Sequence, residues 1–411
     1  MHILIVHQAF ASLEEPGGTR HYEFARLLAA RGHQVTVIAS QVSYITGALS
    51  SSRAESTPTS EGVPEVRILR ARVYSAHHKS FFHRMLAFFS FMISSFWIGF
   101  GLRDIDLVWG TSPPIFQGVT AWMLARIKGA RFLFEVRDLW PRFAVAVGVL
   151  RSRLLISASE WLERFLYRRA DCVMVNSPGF VEHVRNLGAR RVEIVPNGAD
   201  PAMFESAGGP EFRRQHGFGD KFVALYAGAH GMSNDLAVVL DAARLVADAP
   251  VQIVFVGDGK EKPGLMARAQ AMGVHNVLFL SAVPKREMSA VLAGADAGIA
   301  ILKPIEEYKT TYPNKVFDYM AAARPVLLAI DGVIREVVES AQCGVFVQPG
   351  DAAALAQAIL MLAADRSRAR SMGRNGRQYL EENFSRLQIA DKLIAVLEST
   401  AERRPALDRN R

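Results

Sequence analysis

Residues 222–228 read FVALYAG, 251–259 read VQIVFVGDG, 276–280 read NVLFL, 297–302 read AGIAIL, 325–330 read PVLLAI and 344–347 read GVFV. Each is a short apolar run, and stretches of helical period separate one from the next. Strands apolar on both faces suit a parallel sheet, because crossover helices cover it on either side. The same alternation fills the first half, with strands expected at 2–7, 34–39, 66–70, 106–110, 131–135, 171–175 and 191–195. Helices are expected at 19–31, closed by Gly32, and at 157–169. The two series predict an α/β protein of two doubly wound domains.

The join falls in PNGADPAMFESAGGPEFRRQHGFGD, residues 196–220, where Pro, Gly and charge interrupt both periodicities. This places an N-terminal domain at 1–196, a linker at 197–220, a C-terminal domain at 221–382, and a helix with a charged tail at 383–411. From Asp351 the pattern is continuously helical, and the Ser- and Thr-rich run from Ala48 to Gly62 reads as a long loop. With 411 residues, 50% hydrophobic and 21% charged, the chain excludes disordered, collagenous and coiled-coil classes. Cys172 and Cys343 lie in apolar runs, too few for a disulfide framework or a thiolate zinc site, so a reducing compartment is expected. The start enters a strand directly, without the basic head of a secretory signal.

Charge is uneven. Residues 1–200 carry 23 Lys and Arg against 16 Asp and Glu, and the remainder is nearly balanced. The basic half points to an anionic surface, a membrane rather than a nucleic acid, because no stacking aromatics interleave the basic residues. Met85 to Leu102 contains 18 consecutive uncharged residues, flanked by Lys79, His83, Arg84 and Arg103. As a helix it would be about 27 Å long, near the lower limit of a bilayer span. A single crossing would divide strands of one sheet between two sides of a membrane, so a span is rejected. Two readings stay open: a buried helix, or one whose face of Phe88, Phe89, Phe91, Phe96, Trp97 and Phe100 dips into the lipid interface while Arg84 meets headgroups.

Chemistry concentrates in turns after strands. Gly17 and Gly18 precede a helix start, which offers free amides and partial positive charge to a phosphate. Gly228, His230 and Gly231 lead from a strand into a second such helix. In LKPIEEYKTTYPNKVFDYMAAARPV, Asn314 and Lys315 open a helix after Pro313, and Asp318 one turn later can accept bonds from a vicinal diol such as ribose. Arg137 and Asp138 follow a buried strand at the end where α/β proteins bind ligands. Asp138 can orient or deprotonate an acceptor hydroxyl, or else form a structural pair with Arg137. His7 either faces a cleft or fills the core. Asp104 and Asp106 match a metal-holding DxD spacing, but they stand at a strand entrance. The eleven histidines show no paired ligand spacing, and no metal is expected.

PGGTRHYEFARLLAARGHQVTVI, RDLWP, NSPGF, VPNGAD, YAGAHG, FVGDGK, PNKVFDYMAAARPV and FVQPGD run in order over more than nine tenths of the chain. This ordered set resembles the retaining glycosyltransferases of family 4, in the bacterial branch that builds cell-surface polysaccharides. The resemblance implies a GT-B fold, two facing Rossmann-like domains with a C-terminal helical segment, and a nucleotide sugar held mainly by the C-terminal domain. It implies metal-free transfer of a sugar with retention; with the apolar segment and the basic first half, the expected reaction is transfer from a UDP sugar to a lipid-linked saccharide by a peripheral protein on the inner face of the cell membrane. The family's acidic pair spaced by seven maps onto Thr310 and Asp318, a departure at both positions, for which Glu306 or Glu307 is a candidate substitute. Its Arg and Lys pair after Gly228 is replaced by Ala229, His230 and Gly231. The leaving diphosphate still needs its charge stabilised. Lys315 is the first candidate, and Lys303, otherwise a solvated loop lysine, is the second. A nucleotide-sugar 2-epimerase of related fold, or an inactive membrane-docked binding protein, are the alternatives.

Overall fold

The computed structural model describes residues 1–42, 54–56, 65–74, 81–205 and 207–402. They form two compact units. The first comprises Met1–Ser12, Gly18–Pro196 and the segment from Ile389; the second comprises Leu13–Gly17 and Asn197–Gln388.

The first unit runs β1 (His2–Val6), α1 (Arg20–Ala30), β2 (Gln34–Ser40), β3 (Ala54–Ser56), β4 (Arg67–Ala71), α2 (Phe81–Phe100), β5 (Leu107–Ser112), α3 (Phe116–Lys128), β6 (Arg131–Val136), α4 (Arg142–Ala146), α5 (Arg153–Arg169), β7 (Cys172–Val175), α6 (Val181–Asn186) and β8 (Val192–Ile194). Its sheet has the order β3-β4-β2-β1-β5-β6-β7-β8. Among the described residues only β3 is antiparallel. The chain steps one way through β1, β2 and β4, then back through β5, β6 and β7. Right-handed crossovers therefore put α1 on one face and α2, α3 and α5 on the other. The register aligns His7, Thr111 and Glu135 in one row, one residue beyond the pairs Val6↔Gly110 and Gly110↔Phe134.

The second unit runs α7 (Gly209–Gln215), β9 (Phe222–Ala227), α8 (Leu236–Leu245), β10 (Val251–Val256), α9 (Lys262–Ala271), β11 (Val277–Leu280), α10 (Lys285–Gly294), β12 (Ala297–Ile301), α11 (Asn314–Ala321), β13 (Val326–Ala329), α12 (Val333–Ser340), β14 (Gly344–Phe346), α13 (Ala352–Ala364) and α14 (Arg366–Asn383). Its parallel sheet has the order β11-β10-β9-β12-β13-β14. The last helix, α15 (Arg386–Glu402), enters the first unit, where Leu393 and Leu397 are buried.

Every expected strand is present. β3 was not expected; it lies within the Ala48–Gly62 run, the rest of which is outside the described residues. The expected linker 197–220 is corrected: it folds onto the second unit through a 3-10 turn at Pro201–Phe204 and through α7, with Phe204, Phe212 and Phe218 buried in that unit's core. Three phenylalanines outweigh the local Gly and Pro. The C-terminal helical stretch is three helices, interrupted at Asp365, whose carboxylate accepts from the Arg368 amide, and again at Phe384–Ser385.

In α2, Ala87, Phe91, Ser95 and Gly99 form a buried stripe at four-residue spacing. Opposite it, Leu86, Phe89, Ile93, Trp97 and Phe100 are 38–64% exposed. Phe88 and Phe96 lie between the two faces. Phe91, expected on the outer aromatic face, is instead in the core, because the helix turns its small residues and this one ring toward the sheet and α3. No helix among the described residues is long and apolar enough to cross a membrane.

Candidate active site

In the second unit the strands β9, β10 and β12 end in loops that gather at one edge of the sheet, where open α/β folds place ligands. Gly228, just past β9, has φ +139, and an added Cβ would come 3.3 Å from Lys315 Nζ. Gly257, just past β10, has φ +146, and its added Cβ would lie 1.9 Å from the Gly228 carbonyl oxygen. The two turns thus touch backbone to backbone, which only glycine permits.

Lys315 lies in the first turn of α11. Its Nζ sits 3.8 Å above the Tyr226 ring and donates to Asn234 Oδ1 at 3.4 Å. Among the described residues no carboxylate pairs with it, and desolvation pushes its ammonium down to about 7. A desolvated cation beside a helix N-terminus has the chemistry to hold an anion. Asn314, exposed at the helix start, adds free amides there.

The loop from Ala229 to Asp235 is tied to the following segment. The Tyr308 hydroxyl donates to Ser233 Oγ at 2.6 Å, the Lys303 amide to the Ser233 carbonyl at 3.0 Å, and Asn234 Nδ2 to the Ala229 carbonyl at 3.0 Å. Gly231 lies in this turn. The Lys303 ammonium faces Asp235, whose carboxyl is raised by burial against the pull of that cation. Thr310 donates its hydroxyl to the Glu307 carbonyl at 2.6 Å, and Glu306 is exposed and paired with Lys309. Asp318 is held by a residue that sequence reading missed: Lys285, at the start of α10, 2.6 Å from Oδ2.

His230 lies in the same turn. Its ring is fully buried near Phe255 and Phe279, with both nitrogens unpartnered among the described residues, and desolvation pushes it down to about 4. Its amide and carbonyl bond Asp258 and Glu261. The side chain packs as core filler, and it is the backbone of this turn, not the ring, that lies beside Gly228 and Gly231.

In the first unit, Arg137 follows β6 and donates through Nε to the Ser112 carbonyl at 3.2 Å and through Nη2 to the Pro113 carbonyl at 3.3 Å. Asp138 next to it is solvent-accessible, and desolvation by the surrounding protein pushes its carboxyl up to about 6 against the Arg137 charge. Gly18 is exposed before α1, and Gly17, with φ +146, belongs to the second unit. His7 is buried, 4.1 Å from the His21 ring, so it fills the core. Beneath α1 lies a polar cluster that sequence reading missed. The fully buried Glu135 takes Arg20 Nε at 3.1 Å and His21 Nε2 at 2.5 Å, and its carboxyl is held low by both despite burial. Arg20 also donates to the Val195 and Pro196 carbonyls, bracing the last strand of the sheet. Asp106 accepts from the His2 amide at 2.7 Å, a strand-entry role.

Two sheets of this topology are the two Rossmann-like halves of the GT-B fold found in glycosyltransferases. The match to known families agrees: residues 17–198 match the glycosyl transferase 4-like domain and residues 221–365 the glycosyl transferases group 1 domain. The chain belongs to glycosyltransferase family 4. It is 26% identical over 299 residues to the putative colanic acid biosynthesis glycosyl transferase WcaI of Escherichia coli K12, covering 68% of this chain and 72% of that one. Among solved structures, sucrose-phosphate synthase of Thermosynechococcus elongatus superposes with TM-score 0.77 at 18% identity, covering 97% and 99% of the two chains. Anabaena HepE in complex with UDP-glucose superposes with TM-score 0.71 at 16% identity, covering 97% and 100%.

Proposed function

We propose that this glycosyltransferase moves a hexosyl group from a UDP sugar to a lipid-linked saccharide in cell-surface polysaccharide synthesis, with retention and without a metal, at the cytoplasmic face of the membrane. The observation that carries the donor side is Lys315, a desolvated ammonium with no carboxylate partner among the described residues, at the mouth of the Gly228 turn. A diphosphate supplies the missing charge. As the bond from the sugar's anomeric carbon to the β-phosphate breaks, negative charge grows on the departing UDP, and Lys315 with the amides of Asn314 and Lys315 stabilises it. Asp318 receives the ribose diol on the oxygen that Lys285 leaves free. On the acceptor side Asp138, with its carboxyl near 6, orients the attacking hydroxyl. The proton passes to the departing phosphate as the new glycosidic bond forms, or to Asp138. WcaI bears colanic acid biosynthesis in its name and HepE was solved with UDP-glucose, which support a role in polysaccharide synthesis and a UDP-sugar donor.

The test is a UDP titration in EDTA followed by transfer to a lipid-diphosphate saccharide, with the product anomer read by NMR. Tight binding and a retained anomer are expected. An inverted anomer or a requirement for a divalent ion sinks the mechanism. Conversion of a UDP-N-acetylhexosamine without acceptor would instead identify an epimerase.

A further inference from the structure

Of the 17 large hydrophobic side chains exposed among the described residues, 12 lie between Tyr74 and Trp161. The other five are scattered over the second unit and α15. This clustering is not confined to α2. Met123 and Ile127, one turn apart on α3, are 38% and 53% exposed, and on α5 Leu154, Leu155 and Trp161 are 82%, 47% and 65% exposed. The three helices cover the same face of the first sheet. Ring contacts tie them in sequence: Phe89 to Phe116 at 5.1 Å joins α2 to α3, and Trp122 to Phe165 at 4.8 Å joins α3 to α5. Trp161 stacks on Phe165 at 5.5 Å, so its outward ring is held in place from below.

The charge on this face is one-sided. Arg126, Arg151, Arg153, Arg164, Arg168 and Arg169 are exposed on or beside α3 and α5. In α2, α3 and α5 the acidic residues are Glu160, which pairs with Arg164, and Glu163, buried under Tyr167 and His183. An apolar patch rimmed by arginines and nearly free of exposed carboxylates complements an anionic lipid surface. A second copy of the same face would meet it with like charge.

We infer that α3 and α5 extend the apolar face of α2 into one docking surface for an anionic bilayer, with Leu154, Leu155 and Trp161 as a second foot. The inference rests on the proposed membrane location. It adds that docking needs two separated helices, which fixes the tilt of the first unit on the membrane where one helix leaves it free to roll. The arginines lie at headgroup depth and the side chains of Leu154 and Leu155 reach the acyl boundary.

Sedimentation of the full chain with phosphatidylglycerol-rich and pure phosphatidylcholine vesicles tests it. The triple variant Leu154→Ser, Leu155→Ser, Trp161→Ser should lower partitioning onto anionic vesicles at least about tenfold. Arg153→Gln, Arg168→Gln and Arg169→Gln should each lower it about fivefold on anionic vesicles and leave the phosphatidylcholine arm unchanged. Stabilisation by UDP, retained in each variant, shows that the fold persists. If the α5 triple variant binds like the parent while Phe89→Ser, Trp97→Ser is released, the second foot is refuted and docking through α2 stands. If the parent ignores both vesicles, the membrane reading itself falls. A triple variant that changes oligomeric state with unchanged vesicle binding assigns the patch to a second copy and also overturns the inference.

Discussion

Lys285 and Asp318 form an ion pair of 2.6 Å across 33 residues of chain, joining the first turn of α10 to the middle of α11. The Lys285 ammonium also lies 5.0 Å above the Phe204 ring, so the pair is anchored on one side by an aromatic face. Asp318 is therefore held in position, with one oxygen committed and the other available for the proposed ribose contact.

Removing either partner separates scaffold from ligand contact. Asp318→Ala should cost about 1–3 kcal/mol of unfolding free energy and weaken UDP by about 1.5–3 kcal/mol, the range for bonds to charged groups. Lys285→Met should cost stability as well but leave UDP affinity equal or improved, because it frees the carboxylate. Denaturant titrations and UDP binding of the two variants decide the matter. Equal losses of UDP affinity would reduce the pair to a structural clamp.

With the diphosphate role proposed above, Lys315 should make nucleotide binding depend on pH. Its ammonium sits near 7 when the site is empty, and a diphosphate beside it must raise that value. Binding above pH 7 therefore takes up a proton, and affinity falls up to about tenfold per pH unit as pH rises from 7 toward the raised value. Calorimetry in two buffers of different ionisation heat should show uptake approaching one proton at pH 8 and little at pH 6. Lys315→Ala should abolish the uptake and the pH dependence together.

With the acceptor-side role proposed above, Asp138 should set the acid limb of activity. Its carboxyl near 6 means that the ionised form is lost as pH falls through 6, so kcat/KM should decline below that value. Asp138→Asn should lower kcat about 100-fold with UDP affinity unchanged, measured by transfer assays beside a binding titration. A variant with full kcat would return Asp138 to a purely structural role.

His230 gives a prediction of the opposite kind. Its buried ring has no polar partner among the described residues, and the unfolded chain binds a proton there more readily than the folded one. Stability from this residue is therefore lost as pH falls from about 6.5 toward 4. His230→Phe should stay within about 1.5 kcal/mol of the parent at neutral pH, as near-isosteric core replacements do. It should also be less sensitive to acid and bind UDP unchanged. Thermal melts from pH 4 to pH 7 check this.

Most strands were legible because they are largely apolar runs bounded by turn residues, a pattern that burial on two faces imposes, even where a charged residue such as Arg70 or Glu135 interrupts them. β3 was not, since Ala54–Ser56 is a polar edge segment with no such signature. The phase of α2 was unreadable for a related reason: 18 uncharged residues carry no amphipathic marker, and only packing against α3 decides that Phe91 turns inward and Trp97 outward. In the candidate site, Lys315 and Asp318 were visible because they share one helix opening. Lys285 was hidden by its distance along the chain, as was Glu135, which lies more than a hundred residues from Arg20 and His21. The burial of His230 was not legible, because a histidine in a glycine-containing turn gives no sign that its ring folds toward Phe255.

The last helix has a consequence for the order of synthesis. Arg31 pairs with Asp391, Arg191 donates to Ser399 and Thr400, and Leu393 and Leu397 are buried in the first unit. A ribosome delivering this chain releases the whole of 1–196 long before these partners exist. The first unit must wait half-finished, its flank for α15 bare, while nearly two hundred further residues are made. During that interval it depends on chaperones or on its own tolerance of an uncovered flank.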